Sequence, residues 1–233
     1  MDRRPWTKRG RYLCLSLLLV LGPQSLVHGP LFANPSKSPV QSPMAAVKEL
    51  DRMADSYKVG KNLAGKDEAF NRRIKARILR GTFNLGELAR LALAKHWNER
   101  SEKEQDDFVE LLTQLLEERS VFAKEKAAER GEEKSYQISY KKEKYLNREK
   151  SQAYVQTAVL LKKQRTQFDL DYKLRKTPAG EWRIYDVIVD EASLVDNYRS
   201  SFGKIIRKNG YPELVRRMEN KLKEFRAEKS KTT

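Results

Sequence analysis

Acidic side chains on predicted strands are the residues in this sequence best placed to do chemistry. Asp169, Asp171 and Asp186 lie where apolar and polar residues alternate, so two of them could act as a general acid and a general base. Asp169 and Asp171, however, alternate with the apolar residues of their strand, which predicts that both face water. This placement argues against acid–base catalysis.

The other reactive residue types are scarce. The chain holds two histidines and one cysteine, Cys14, too few for a zinc site or a disulfide. His96 lies at the predicted end of a helix, where a histidine usually caps carbonyl groups. Tyr198 is expected to pack with its hydroxyl bonded, and Arg199 to pair with an acid on the sheet. The sequence therefore predicts no catalytic residue, no metal and no cofactor.

Apolar residues at helical spacing predict four helices in the first half of the chain. They cover about 45–58, 67–80, 83–97 and 101–128, with Gly81 ending the second and Gly131 the fourth. Ser101 and Glu104 have the spacing of a capping box at the start of the fourth helix. The buried stripe of that helix is predicted to be Phe108, Leu111, Leu112, Leu115, Leu116 and Phe122.

After Gly131 the apolar period changes to two, which predicts four strands near 136–140, 153–161, 168–174 and 182–189. Their short connections predict an antiparallel meander. Ser193, with Asp196 three residues on, caps a further helix that Gly210 ends, and a short last helix follows. The predicted fold class is α+β: N-terminal helices packed on a curved four-stranded antiparallel sheet, with C-terminal helices.

The N-terminal segment is typical of an export signal. Basic residues up to Arg11 precede about ten apolar residues, too few to span a bilayer, which needs about 20. We expect a signal peptide over 1–33, a flexible leader over 34–44, a single domain over 45–220 and a charged tail over 221–233. An uncleaved membrane anchor is the alternative.

The chain is strongly basic, with a formal net charge of +16. Such a surface attracts anionic membranes, acidic proteins or nucleic acid. An exported protein meets little nucleic acid, so a membrane or an acidic partner is the favoured interpretation.

Four segments resemble one known family. They are 82–97, the helix 108–116, the strand pair 171–187 with its W-R-I-Y-D-V run, and S-L-V-D-N-Y-R-S-S-F at 193–202. Over roughly 45–220 the chain resembles the MlaC-type periplasmic phospholipid-binding family, also called the toluene-tolerance auxiliary-transport family. A glycine is usual in that family where Ala94 stands.

The resemblance implies a periplasmic, non-enzymatic carrier with an NTF2-like sheet. Such a carrier shuttles phospholipid between an outer-membrane lipoprotein–porin complex and an inner-membrane ABC transporter that carries an MCE-domain protein, and so maintains outer-membrane lipid asymmetry. A monomer is expected, with no nucleic-acid partner.

The apolar faces then predict the walls of a cavity for acyl chains, although the same residues could form a plain packed core. A shift of one residue would turn a strand's set to the opposite face. The predicted lipid-binding residues are Phe83, Leu88, Leu111, Leu115, Tyr154, Val155, Val159, Leu170, Tyr172, Leu174, Ile184, Val187, Tyr198 and Phe202.

Three other functions remain open from the sequence. One is a carrier of the same family for hopanoids or other polycyclic lipids. Another is an exported NTF2-like enzyme that acts on a hydrophobic small molecule. The last is a basic binder of the cell wall or a membrane surface, without a cavity.

Overall fold

The computed structural model describes residues 42–60, 63–119 and 121–232, with side chains to Ala227. The predicted signal peptide and most of the predicted leader lie outside these residues. The elements in chain order are α1 (Pro43–Ala54), α2 (Gly65–Thr82), α3 (Leu85–Leu93), a 3₁₀ turn (Ala94–His96), α4 (Glu102–Glu117), α5 (Ala123–Glu129), β1 (Tyr136–Tyr145), β2 (Gln152–Leu161), β3 (Thr166–Lys176), β4 (Trp182–Val189), β5 (Ala192–Ser193), α6 (Leu194–Asn209) and α7 (Tyr211–Thr232).

The strands form one antiparallel sheet in the order β1-β2-β3-β4-β5. The predicted α+β class and the meander are confirmed. The prediction of four strands misses β5, because a strand of two residues is too short to show alternation. The likeness to NTF2 remains a prediction.

The sheet register decides which residues share a face. Val155 of β2 lies opposite Tyr172 of β3, and Tyr172 lies opposite Val187 of β4. Their side chains therefore point to the same side, called here the inner face, and helix α1 packs on the sheet through Val47 and Leu50, both fully buried. The core lies between this face and the helices.

The predicted single helix over 101–128 is wrong, because the structure has two helices there. The capping box is confirmed: Ser101 Oγ accepts from the amide of Glu104, whose carboxylate accepts from the amide of Ser101. Helix α4 ends at Glu117, and Phe122 precedes α5 rather than continuing the stripe of α4. At this break, Lys75 Nζ of α2 donates to the carbonyl oxygen of Arg119.

Other predicted helix ends also differ from the structure. Helix α2 passes through Gly81 and ends where Phe83 turns extended and bridges to Ile184 of β4. The last helix is not short, because α7 has 22 residues and includes most of the predicted tail. Leu222, inside that segment, is buried.

Ala94 supplies a direct test of backbone strain at the end of α3. Its φ is 51° and its ψ is −122°, a region that residues with a Cβ rarely adopt. We expect Ala94→Gly to raise the free energy of unfolding by about 1 kcal/mol, because strain relief exceeds the extra entropy of the unfolded chain. Chemical denaturation measures the change.

The matched control is Ala69→Gly inside α2, which should lower the free energy of unfolding by about 1 kcal/mol. An equal decrease in the free energy of unfolding for both variants would show that the backbone at Ala94 is not strained.

Candidate functional site

The structure brings most of the predicted lipid-binding residues together in one apolar interior. Leu111 and Tyr198 are half-buried at its margin, and Tyr198 stacks on Phe202 with ring centroids 5.0 Å apart. The remaining members of the set that join the buried core are Phe83, Leu88, Leu115, Val155, Val159, Leu170, Tyr172, Leu174, Ile184, Val187 and Phe202.

Tyr154 is the exception, and its predicted place on the same wall is wrong. It pairs with Lys173, so it points away from the face that carries Val155. Its hydroxyl donates to Asp171 Oδ2 at 2.6 Å. Neighbouring strand residues must face opposite sides, so Tyr154 and Val155 cannot both line the interior.

A small pocket lies at the far end of β4, where the inner face meets α6. Its volume is about 150 Å³, and its apolar lining includes Val187, Val189 and Leu194. Arg119 and Lys126 supply positive charge in the same lining. A cavity of this size suits a group about as large as benzene, so it is an amphipathic notch rather than a chamber for a whole acyl chain.

Elsewhere the predicted wall residues pack as core side chains. Val155, Val159, Leu170 and Leu174 each have 0% of their surface exposed. In this closed arrangement, an acyl chain could reach them only if the helices and the sheet moved apart.

A wider and more polar pocket of about 560 Å³ lies between the loop that follows α1, helix α2 and helix α5. Tyr57, Asn71, Glu125 and Glu133 contribute to its lining. Asn71 holds the neighbouring loop, because its side chain both accepts from and donates to the backbone of Lys58 at 2.8 Å. The lining therefore mixes carboxylate and amide groups with apolar side chains.

The strand aspartates hold the fold together on the other side of the sheet. Asp169 is exposed and pairs with Lys141 at 2.8 Å. The prediction that Asp171 faces water is wrong, because it is buried and accepts from Tyr154 and from the amide of Thr157.

Asp186 is also buried and has a structural role at the start of α6. It accepts hydrogen bonds from Ser193 Oγ at 2.7 Å and from the amide of Val195 at 3.0 Å. Lys173 forms an ion pair with it at 3.1 Å. Its carboxylate is therefore occupied by protein donors.

Two predicted polar roles near α3 and α6 are also wrong. His96 Nδ1 lies 3.0 Å from the carboxylate of Glu99 instead of capping helix carbonyls. Arg199 pairs with Asp196 of its own helix and donates to the carbonyl oxygen of Leu91, so it reaches no acid on the sheet.

The sequence reasoning missed a half-buried acid whose pKa is shifted. Asp51 of α1 accepts from the hydroxyl of Tyr140 at 2.8 Å, and burial raises the pKa of Asp51 from 3.8 to about 7. Burial raises the pKa of the Tyr172 hydroxyl, and the charge of Asp51 raises it further. A signal was present: Val47, Leu50, Asp51 and Ala54 follow the i, i+3, i+4, i+7 spacing of a buried stripe.

The described residues contain neither a metal site nor a membrane-spanning helix. No group of His, Cys, Asp or Glu side chains in them is arranged to hold a metal ion. None of the helices in that part of the chain is long and apolar enough to cross a bilayer.

The fold and the site define an α+β protein with an apolar interior between its sheet and helices and an amphipathic notch at one end. The chain belongs to the MlaC protein family, whose model matches residues 48–220. The predicted family resemblance is confirmed.

A solved structure shares the fold. It is the phospholipid-binding protein from Ralstonia solanacearum in complex with a phospholipid, determined at 1.53 Å. The TM-score is 0.61 at 16% sequence identity, and the match covers 81% of this chain and 99% of that chain. Sequence comparison with curated proteins gives no match.

Proposed function

We propose that this chain is a phospholipid carrier that holds acyl chains between the inner face of the sheet and the helices. The observation that carries the proposal is the notch at the end of β4. Its floor continues the apolar inner face through Val187, and its lining includes the cations Arg119 and Lys126. An apolar surface beside positive charge matches a lipid tail beside a phosphate.

The closed interior is compatible with a carrier that opens to load. Burying one methylene group is worth about 0.8 kcal/mol, so two acyl chains with roughly thirty methylenes resist transfer into water by about 20 kcal/mol. When lipid enters, contacts between wall residues are exchanged for contacts with the chains. When lipid leaves, the wall residues bury one another again. This exchange keeps loading and release close in free energy.

The positions of the acids favour a carrier over an enzyme. Asp171 and Asp186 accept hydrogen bonds from protein donors on the side of the sheet away from the interior. The half-buried Asp51 carboxyl already accepts from the hydroxyl of Tyr140. Together these contacts give no acid–base pair directed at a substrate in the interior.

The wider role follows from the family resemblance. The protein would be exported to the periplasm after loss of residues 1–33. There it would pass phospholipid between an outer-membrane lipoprotein–porin complex and an inner-membrane MCE-domain ABC transporter. The mass of the protein recovered from a periplasmic extract tests export, because an uncleaved chain keeps its first 33 residues.

Purification without detergent, followed by solvent extraction and mass spectrometry, tests the main proposal. Phospholipid with two acyl chains at about one per protein is the expected result. Polycyclic lipid would redirect the proposal to a hopanoid carrier, and a lipid-free protein that also fails to take phospholipid from vesicles would contradict it.

Replacing Val159 with Trp should lower phospholipid occupancy at least severalfold, because the larger side chain fills space on the inner face. Overpacking of a core typically lowers the free energy of unfolding by 1–3 kcal/mol, so cooperative unfolding is checked in parallel. Val155→Trp and Leu174→Trp extend the test along the same face.

Leu160→Trp is the matched control, since Leu160 is the next residue of β2 and points to the other face. It should leave occupancy unchanged. Wild-type occupancy in all three inner-face variants would show that the acyl chains do not contact this wall.

A further inference from the structure

One end of the sheet forms a compact tip built from two turns. Gln152 at the start of β2 pairs with Arg175 near the end of β3, so the turns 146–151 and 177–181 lie at the same end. The rings of Tyr145 and Trp182 lie 6.0 Å apart across them. The sheet tip is defined here as residues 144–151 and 176–182.

The sheet tip exposes apolar surface. Tyr145 and Leu146 are consecutive, and each leaves 43% of its surface exposed. Among the described residues, these are the large hydrophobic side chains that stand out to solvent. Exposed apolar side chains within a polar rim often mark an interaction site.

The exposure belongs to an ordered turn. Asn147 Oδ1 accepts from the amides of Ser151 and Gln152 at 3.0 Å each. The amide of Leu146 donates to the carbonyl oxygen of Gln152 at 2.9 Å. Because the turn is already fixed by these bonds, docking through it loses little conformational entropy.

Positive charge surrounds the apolar pair. Lys150 Nζ lies 5.5 Å from the Tyr145 ring centroid, and Lys176 Nζ lies 5.4 Å from that of Trp182. Lys144 and Arg148 are exposed in the same stretch. Of the two acids within the sheet tip, Glu181 is paired with Arg183 at 2.9 Å, which leaves Glu149 against four cations.

We propose that the sheet tip is a docking surface for anionic phospholipid bilayers. Tyr145 and Leu146 enter the interfacial layer, and the lysines and Arg148 contact lipid phosphates. Aromatic rings and long cationic side chains are the residues that settle at this layer, with the ring at headgroup depth and the charge at the phosphates. Direct membrane contact goes beyond the carrier function, which requires only exchange with protein complexes.

The size and charge of the sheet tip favour a membrane over a protein partner. A stable protein interface buries about 800 Å² on each side, far more than two exposed apolar side chains and a turn provide. Reversible membrane docking needs less apolar area, because each added cation strengthens attraction to an anionic surface.

Vesicle co-flotation of the full chain tests the proposal. The vesicles are made of phosphatidylcholine, with or without phosphatidylglycerol. Wild-type protein is expected to bind the anionic vesicles, and to bind more weakly as salt screens the charges. The double variant Tyr145→Ser/Leu146→Ser should bind at least about tenfold more weakly, with the single variant Leu146→Ser as the alternative if the double variant does not fold.

Two double charge reversals distinguish binding through the sheet tip from binding through the net charge of the protein. Lys144→Glu/Arg148→Glu should reduce affinity for anionic vesicles about tenfold or more. Lys204→Glu/Lys208→Glu makes the same change in net charge on exposed residues of α6 and should retain most of the binding. Lack of wild-type binding, equal losses for the two reversals, or full binding by the serine variant would each overturn the proposal. Phospholipid occupancy, measured separately, tests the carrier function.

Discussion

Replacing Lys75 with methionine is expected to lower the free energy of unfolding by about 3–5 kcal/mol. Lys75 Nζ lies 2.6 Å from Glu125 Oε1, and the two side chains are only 4% and 5% exposed. Removing one partner leaves the other charge buried without its counterion, and that penalty exceeds the loss of a surface ion pair severalfold. Urea denaturation monitored by circular dichroism measures the change.

The Lys75–Glu125 pair also holds the backbone between α4 and α5, which adds to the expected loss of stability. Glu125 Oε2 accepts from the amide of Val121 at 2.9 Å, and Lys75 Nζ donates to the carbonyl oxygen of Arg119. The pair therefore fixes the segment between α4 and α5 against α2. Arg119 and Val121 of that segment line the amphipathic notch, so the ion pair also positions one wall of the candidate site.

Two further variants make the Lys75 prediction specific. Lys66→Met, at an exposed position of the same helix, should change the free energy of unfolding by less than about 0.5 kcal/mol. The double variant Lys75→Met/Glu125→Leu should recover only part of the lost stability, because no charge then remains unpaired but the amide of Val121 loses its acceptor. A loss below 1 kcal/mol for Lys75→Met alone would mean that water reaches the pair.

Local patterns predicted those parts of the fold that depend on neighbouring residues. Alternation over 168–174 placed Leu170 and Leu174 on one face, as the register of β3 confirms. The capping residues Ser101 and Ser193 were visible in the sequence, and both accept from amides three residues on. These features need no information about distant parts of the chain.

The predictions that were wrong concern features that involve residues far apart in the sequence. At the break after α4, the carbonyl oxygen of Arg119 accepts from Lys75, which lies 44 positions earlier in the sequence. The buried Asp171 accepts from the hydroxyl of Tyr154 on the adjacent strand. Neither contact changes the pattern of apolar residues around Arg119 or Asp171, so periodicity could not reveal either one.

Sequence patterns were also insufficient to predict the function of the interior. Sequence reasoning identified an apolar set that the fold does assemble, but it could not distinguish a core from a loading cavity. The notch lies where the inner face of β4 meets residues of α5 and α6. Its position depends on how three separate elements meet, and only Val187 of its lining was among the predicted residues.

Asp51→Asn is expected to stabilise the protein at pH 8 and to have little effect at pH 4. Burial raises the pKa of Asp51 from 3.8 to about 7. Between these values the folded chain keeps a proton that the unfolded chain has released, so stability falls as pH rises through this window. A difference of about three pKa units corresponds to roughly 4 kcal/mol at full effect.

Asparagine removes the ionisation while keeping an oxygen that can accept from Tyr140, whose hydroxyl lies 2.8 Å from the carboxylate. The difference in free energy of unfolding between variant and wild type should therefore grow from pH 4 to about pH 7 and then level off, by up to about 4 kcal/mol. Taking the difference cancels every other titrating group that the two proteins share.

Asp106→Asn, at an exposed position of α4, is the matched control and should give a difference within about 0.5 kcal/mol at every pH. A flat profile for Asp51→Asn would mean that water solvates the carboxylate in the folded chain. A rising profile would place a titrating group between α1 and the inner face of the sheet. Acyl chains that enter here would have to separate α1 from the sheet and let water reach Asp51. In lipid-loaded protein, the difference in free energy of unfolding between Asp51→Asn and wild type should then rise less steeply with pH.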